Sequence, residues 1–137
     1  GQPGRLALEF TREADSADAA VRSALADVRS AVPAARLIEV APDLVGLTDV
    51  ADIVGVSRQN MRKLMLAHPG SFPAPVHEGS ASIWHLADVL AWLQAKGSYS
   101  LAMDVLEVAC VALQVNVVKE GRRLSRSASD ELEALVE

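Results

Sequence analysis

The sequence has one cysteine, Cys110, in 137 residues. No intrachain disulfide can form, and a reducing compartment fits. Set among Ala109, Val111, Ala112 and Leu113, that thiol reads as a small packed hydrophobe. Positive charge is also short. The formal net charge is -5, which argues against general coating of DNA or of an anionic membrane, because non-specific polyanion binding needs a diffuse basic surface. Any nucleic-acid contact must therefore be local. No run is long enough to span a bilayer: the uncharged stretch Val108 to Val118 would rise about 16 Å as a helix against a hydrocarbon core of about 30 Å. The N-terminus lacks the positive, apolar and small-residue zones of an export signal, so the expected location is cytoplasmic, at the nucleoid. Catalytic signatures are missing as well. There is no glycine-rich phosphate loop, no GxSxG elbow and no paired-carboxylate pattern. His68, His77 and His85 have neither HxxxH nor CxxC spacing around them. The expectation is a protein with no catalytic residues, no metal and no cofactor: not an enzyme.

What is present is enough to fold. Half of the residues are hydrophobic and 23% are charged, so the chain can bury a real core, as one domain or two small ones. It begins GQPG without a methionine, a turn-like start that leads us to expect sequence upstream. In RLALEF, Leu6, Leu8 and Phe10 alternate with Arg5, Ala7 and Glu9, the period of a half-buried strand. Next, Ala17, Ala20, Val21, Ala24, Leu25 and Val28 recur at three and four, with Asp15 and Asp18 where acids favour a helix start. Pro33 stops that helix, and ARLIEV from Ala35 to Val40 reads as a second strand before Pro42.

Residues 1–42 thus read as an incomplete β-α-β unit resembling half of a ferredoxin-like sandwich. Two strands cannot make a stable sheet alone, so a missing segment or a second copy is expected to complete it. Its strands should be parallel with another strand between them, and a protein or small-molecule partner could bind there.

The stretch LTDVADIVGVSRQNMRKLM, Leu47 to Met65, places two helical patterns around one glycine. Gly55 can take the positive φ that ends the first helix, and Ser57 is a good N-cap for the second. Ala51 falls where the helices would cross, and Val50, Val54, Val56, Met61 and Leu64 fall inside the corner, the spacing of a helix-turn-helix. Outward lie Arg58, Gln59, Asn60, Arg62 and Lys63, with no acidic residue between Ser57 and Ala67. Arginine can bond guanine bidentately, and glutamine or asparagine can do the same with adenine. Lys63 is better suited to a phosphate. Further on, Val76-His77 and Ser82-Ile83-Trp84 flank a glycine-bearing turn as two short strands, and Leu86, Val89, Leu90 and Leu93 follow at helical spacing up to Gly97. Trp84 and Trp92 read as packing anchors rather than stacking platforms.

Over about 50 residues, from the helix pair through FPAPVHEGSASIWHLADVLAWL, the chain resembles the winged helix-turn-helix of the MerR and phage excisionase type. The resemblance implies sequence-specific binding of double-stranded DNA, with the second helix in the major groove and the wing near the adjacent backbone or minor groove. Carried over residue by residue, Ser57, Arg58, Gln59, Asn60, Arg62 and Lys63 become the groove-facing set, with His77 and Ser80 as wing contacts. The chain departs from expectation in placing Glu78, and no arginine or lysine, on the wing turn.

Residues 98–121 read as one long helix, apolar around most of its circumference, with Asp104, Glu107 and Gln114 as its polar stripe. A helix so apolar must be covered. It is either packed by its own chain or a homodimer seam, for which Val108, Cys110, Leu113 and Val115 are candidates. Residues 122–137 are expected to form a mobile tail. The fold class expected is α+β, mainly helical: a β-α-β unit, a winged helix-turn-helix over 43–97 and a long apolar helix. The function expected is that of a dimeric bacterial transcriptional regulator; the alternatives are an excisionase-like architectural factor or a protein-interaction module on the same scaffold. Ten arginines against three lysines fit a GC-rich bacterial genome.

Overall fold

The computed structural model describes residues 4–11, 14–97, 103–124 and 130–136. The fold is α+β and mainly helical. Its elements, in chain order, are α1 (Ala17–Ala31), β1 (Leu44–Val45), α2 (Leu47–Val54), α3 (Arg58–Ala67), β2 (His77–Glu78), β3 (Ser82–His85), α4 (Leu86–Lys96), α5 (Met103–Leu124) and α6 (Asp130–Leu135). The three short strands form one antiparallel sheet in the order β1-β3-β2. Leu44 faces His85, Val45 faces Trp84, and His77 faces Ile83 across the hairpin.

The core lies between α2, α3, α4 and the inner face of α5. Val50, Met61, Leu86, Val89, Leu90 and Leu93 are fully buried, and Trp84 is nearly so. Ala109 and Ala112 of α5 are likewise buried, because only small side chains let α5 approach this closely. Trp84 Nε1 donates to the Pro73 carbonyl at 2.9 Å, so the indole buries its ring with its one donor satisfied. Phe72 meets both tryptophans edge-on, with centroids 5.9 Å from Trp84 and 5.0 Å from Trp92. Trp92 stays half-exposed; its Nε1 donates to Ser71 Oγ at 3.2 Å, and Lys96 Nζ sits 5.4 Å from its ring centroid.

The N-terminal expectation needs correction. The helix between the two apolar stretches forms as read, with Ser16 Oγ accepting from Ala19 N at its start. The flanking segments, however, are not strands: Arg5–Phe10 and Arg36–Val40 belong to no sheet among the described residues. Among the described residues there is no β-α-β unit and no half-sandwich, so the parallel pair with a gap does not arise. The physical reason is that alternation makes a segment fit for a sheet but supplies no neighbouring backbone to pair with. Leu6, Leu8 and Phe10 are left 80%, 54% and 43% exposed. The second segment is held by side chains instead. The Asn116 amide accepts from Val40 N and donates to Val40 O, both at 2.8 Å, and Lys119 Nζ donates to Ile38 O at 2.7 Å. The partner site expected on a β-α-β sheet is without that sheet. The strand that does form before α2, β1, carries no alternation to announce it.

The long helix is packed on its own chain by α1 on one side and α4 on the other. It starts at Met103 and runs to Leu124, past the expected end, while Ser100 to Ala102 lie outside the described residues. Its last turns are tied by Glu120, which accepts from Arg123 and pairs with Lys119. Hydrogen bonds from Arg123, then Lys119, lower the Glu120 carboxyl to about 2. The tail expected from residue 122 therefore starts as helix, and Asp130–Leu135 form a further helical turn and a half.

Candidate nucleic-acid interface

The turn between α2 and α3 is built as its residues dictate. Gly55 caps α2 at φ 87°, ψ 31°, in the left-handed region that side chains resist. Its N–H and that of Val56 both donate to the Ala51 carbonyl, at 2.8 and 3.0 Å. Two residues later Ser57 opens α3, its Oγ accepting from Asn60 N at 3.1 Å. Inside the corner Val50, Ala51 and Met61 are buried, with Val54, Val56 and Leu64 packed against them. At the other end of α2, Asp49 Oδ2 accepts from Gly46 N at 3.0 Å. α3 is thus held by a buried inner face and a capped start, which leaves its outer face free to be rigidly presented.

That outer face carries Arg58, Gln59, Asn60, Arg62 and Lys63, all exposed. None of the three cations has an acidic partner among the described residues, and the chain carries no Asp or Glu between Ile53 and His77. Arg58 and Arg62, four apart, share one side of the helix. Ser57 is exposed, and its oxygen caps the helix while its hydroxyl keeps a donor and a second lone pair. Sequence reasoning passed over Leu66, 59% exposed and four residues beyond Arg62. An apolar side chain there can meet a thymine methyl group; its signal was an apolar residue off the inward stripe.

His77 and Ser80 both lie exposed on the β2–β3 hairpin, and so does Glu78. The His77 ring folds across the turn: its Nε2 lies 2.8 Å from where a Cβ on Gly79 would stand. A side chain at position 79 would turn this exposed ring aside. His68, at the far end of α3, has Nδ1 donating to the Leu64 carbonyl at 3.0 Å and its ring edge-on to Trp92. The third histidine, His85, pairs through Nδ1 with Asp43 Oδ1 at 2.7 Å. No group of three or more His, Cys, Asp or Glu is placed to hold a metal among the described residues.

The four seam candidates, Val108, Cys110, Leu113 and Val115, are all half-buried. Cys110 and Leu113 pack against the core of their own chain. Val108 lies beside a shallow groove with Pro42 and Val105. The strongly exposed apolar residues of α5 are Val117, Val118 and Leu124. No described helix is long and apolar enough to cross a membrane. The chain matches no protein-family model, no curated protein and no solved structure.

Proposed function

We propose that this chain binds double-stranded DNA in a sequence-specific way, as a winged helix-turn-helix with α3 in the major groove and the β2–β3 hairpin as its wing, and that it acts as a dimeric transcriptional regulator at the nucleoid. One observation carries the reading: a capped, core-anchored helix presents two arginines, a lysine and two amide side chains, with no acid to neutralise them. The chain as a whole is acidic, so this local face is where an attraction to phosphate and base edges can outweigh the general repulsion. Hairpin contacts fall to His77 and Ser80, and Glu78 keeps the turn off the phosphates. The proposal assigns no reaction and no cofactor.

A module of this size covers about 600–1,000 Å² on DNA, which makes useful affinity depend on two copies. Selection from a random duplex library should recover a short motif repeated in inverted or direct order. Recovery of no motif above competitor would remove the reading. For the dimer, the seam candidates are Val108, Cys110, Leu113 and Val115, of which Val108 and Val115 make the pair to test. Replacing both by Asp is expected to give folded monomers by light scattering, with helical circular dichroism retained. Unfolding of the doubly substituted chain without an intermediate monomer would make these valines core.

A further inference from the structure

Asp43 is 3% exposed and carries the one buried charged side chain among the described residues. Its Oδ1 pairs with His85 Nδ1 at 2.7 Å, its Oδ2 accepts from Asn116 Nδ2 at 2.8 Å, and its main-chain carbonyl accepts from Leu86 N at 2.7 Å. The Asn116 amide also makes the two-point bond to Val40 already described, so every polar atom of that side chain is used. No buried side-chain nitrogen or oxygen is left unsatisfied among the described residues. Residues of the 38–43 segment, the end of β3, the start of α4 and the middle of α5 thus meet at one polar point.

Desolvating a carboxylate is costly, and an apolar contact of the same volume would often hold layers together as well or better. What a saturated hydrogen-bond network adds is direction: it admits one register, where an apolar contact tolerates sliding. His85 is the last residue of β3, the strand shared by β1 and the hairpin. A register set at His85 is therefore a register for the hairpin. We infer that Asn116 is a positioning residue for the hairpin, acting through Asp43 and His85, so that α5 and the hairpin move as one body and displacement of α5 is felt at the DNA face. The DNA part of this inference rests on the proposed function; the mechanical part does not.

The test uses the full chain with Asn116→Leu, which keeps the branched shape of the side chain and favours helix but removes its three hydrogen bonds. Amide hydrogen exchange across residues 77–85 is expected to quicken by about tenfold while α2 and α3 keep their protection, and dissociation from the selected duplex should quicken by about tenfold. Asn116→Ala, which leaves space for water to solvate Val40 and Asp43, is the second variant and should read the same way. Asp43→Asn is the conservative control. His85 can then change tautomer and accept at Nδ1, so protection and dissociation should stay within about twofold of the parent. Unchanged hairpin exchange in the Asn116 variants overturns the inference even if DNA binding is real. Equal loss of protection across α2, α3 and the hairpin, or failure of both Asn116 variants to fold, makes Asn116 a general stabiliser and also overturns it. A freed hairpin with unchanged dissociation overturns the DNA part. If the parent chain binds no duplex, the exchange measurement alone decides the mechanical part.

Discussion

Met61→Ala should lower the free energy of unfolding by about 2–5 kcal/mol, the range for truncating a fully buried large side chain to alanine. Met61 is completely buried and is the only residue of α3 in that state. It docks the helix onto the corner formed with Val50 and Ala51, so a cavity there loosens the one element that presents the cationic face. For a domain whose total stability is of order 5–15 kcal/mol, such a loss moves the urea midpoint far to the left. The outward side chains are untouched, so at low temperature the folded fraction should still prefer the selected duplex. A loss below about 1 kcal/mol would mean the corner collapses to fill the space, and α3 is then less firmly anchored than its burial implies. Equilibrium urea denaturation followed by circular dichroism makes the measurement.

Arg58→Ala and Lys63→Ala should separate reading from holding. Arg58 stands in the first turn of α3, beside Gln59 and on the side of the helix shared with Arg62. If it bonds a guanine edge bidentately, its removal costs about 1–3 kcal/mol on the selected duplex and relaxes the preference at one base pair. Lys63, as a phosphate contact, should weaken selected and scrambled duplexes alike and reduce the slope of log affinity against log salt by about one. Fluorescence-anisotropy titrations over a salt series report both quantities. Equal loss on both duplexes from Arg58→Ala would make it a backbone contact. No change from either substitution would take α3 out of the groove.

The helix pair and the hairpin were readable because local chemistry decides them. Gly55 accepts the left-handed conformation, Ser57 caps the next turn, and the apolar residues between them recur at helical spacing. Each of these is a property of a few adjacent residues. The same holds for α1, whose start at Ser16 and stop before Pro33 are local signals. The exposed cationic row on α3 was equally legible, since a polar residue off the apolar stripe of a short helix has nowhere to go but outward.

Whether a segment became a strand was not local. Arg5–Phe10 carries a clear two-residue alternation and Arg36–Val40 is rich in residues that suit a strand, yet a strand exists only where another backbone lies alongside, and here Val40 is engaged by the Asn116 side chain instead. Leu44–Val45, with no alternation to announce it, does become a strand because β3 lies beside it. The fate of α5 was decided in the same way. Periodicity marked a helix needing cover, but only packing shows α1 and α4 supplying it and turning Cys110 and Leu113 inward. Asp43, His85 and Asn116 stand 42 and 73 residues from one another along the chain, counted from Asp43. Sequence determined which short stretches could turn, cap and present charge; tertiary structure decided which of them found a partner, because pairing and burial depend on residues distant in the chain.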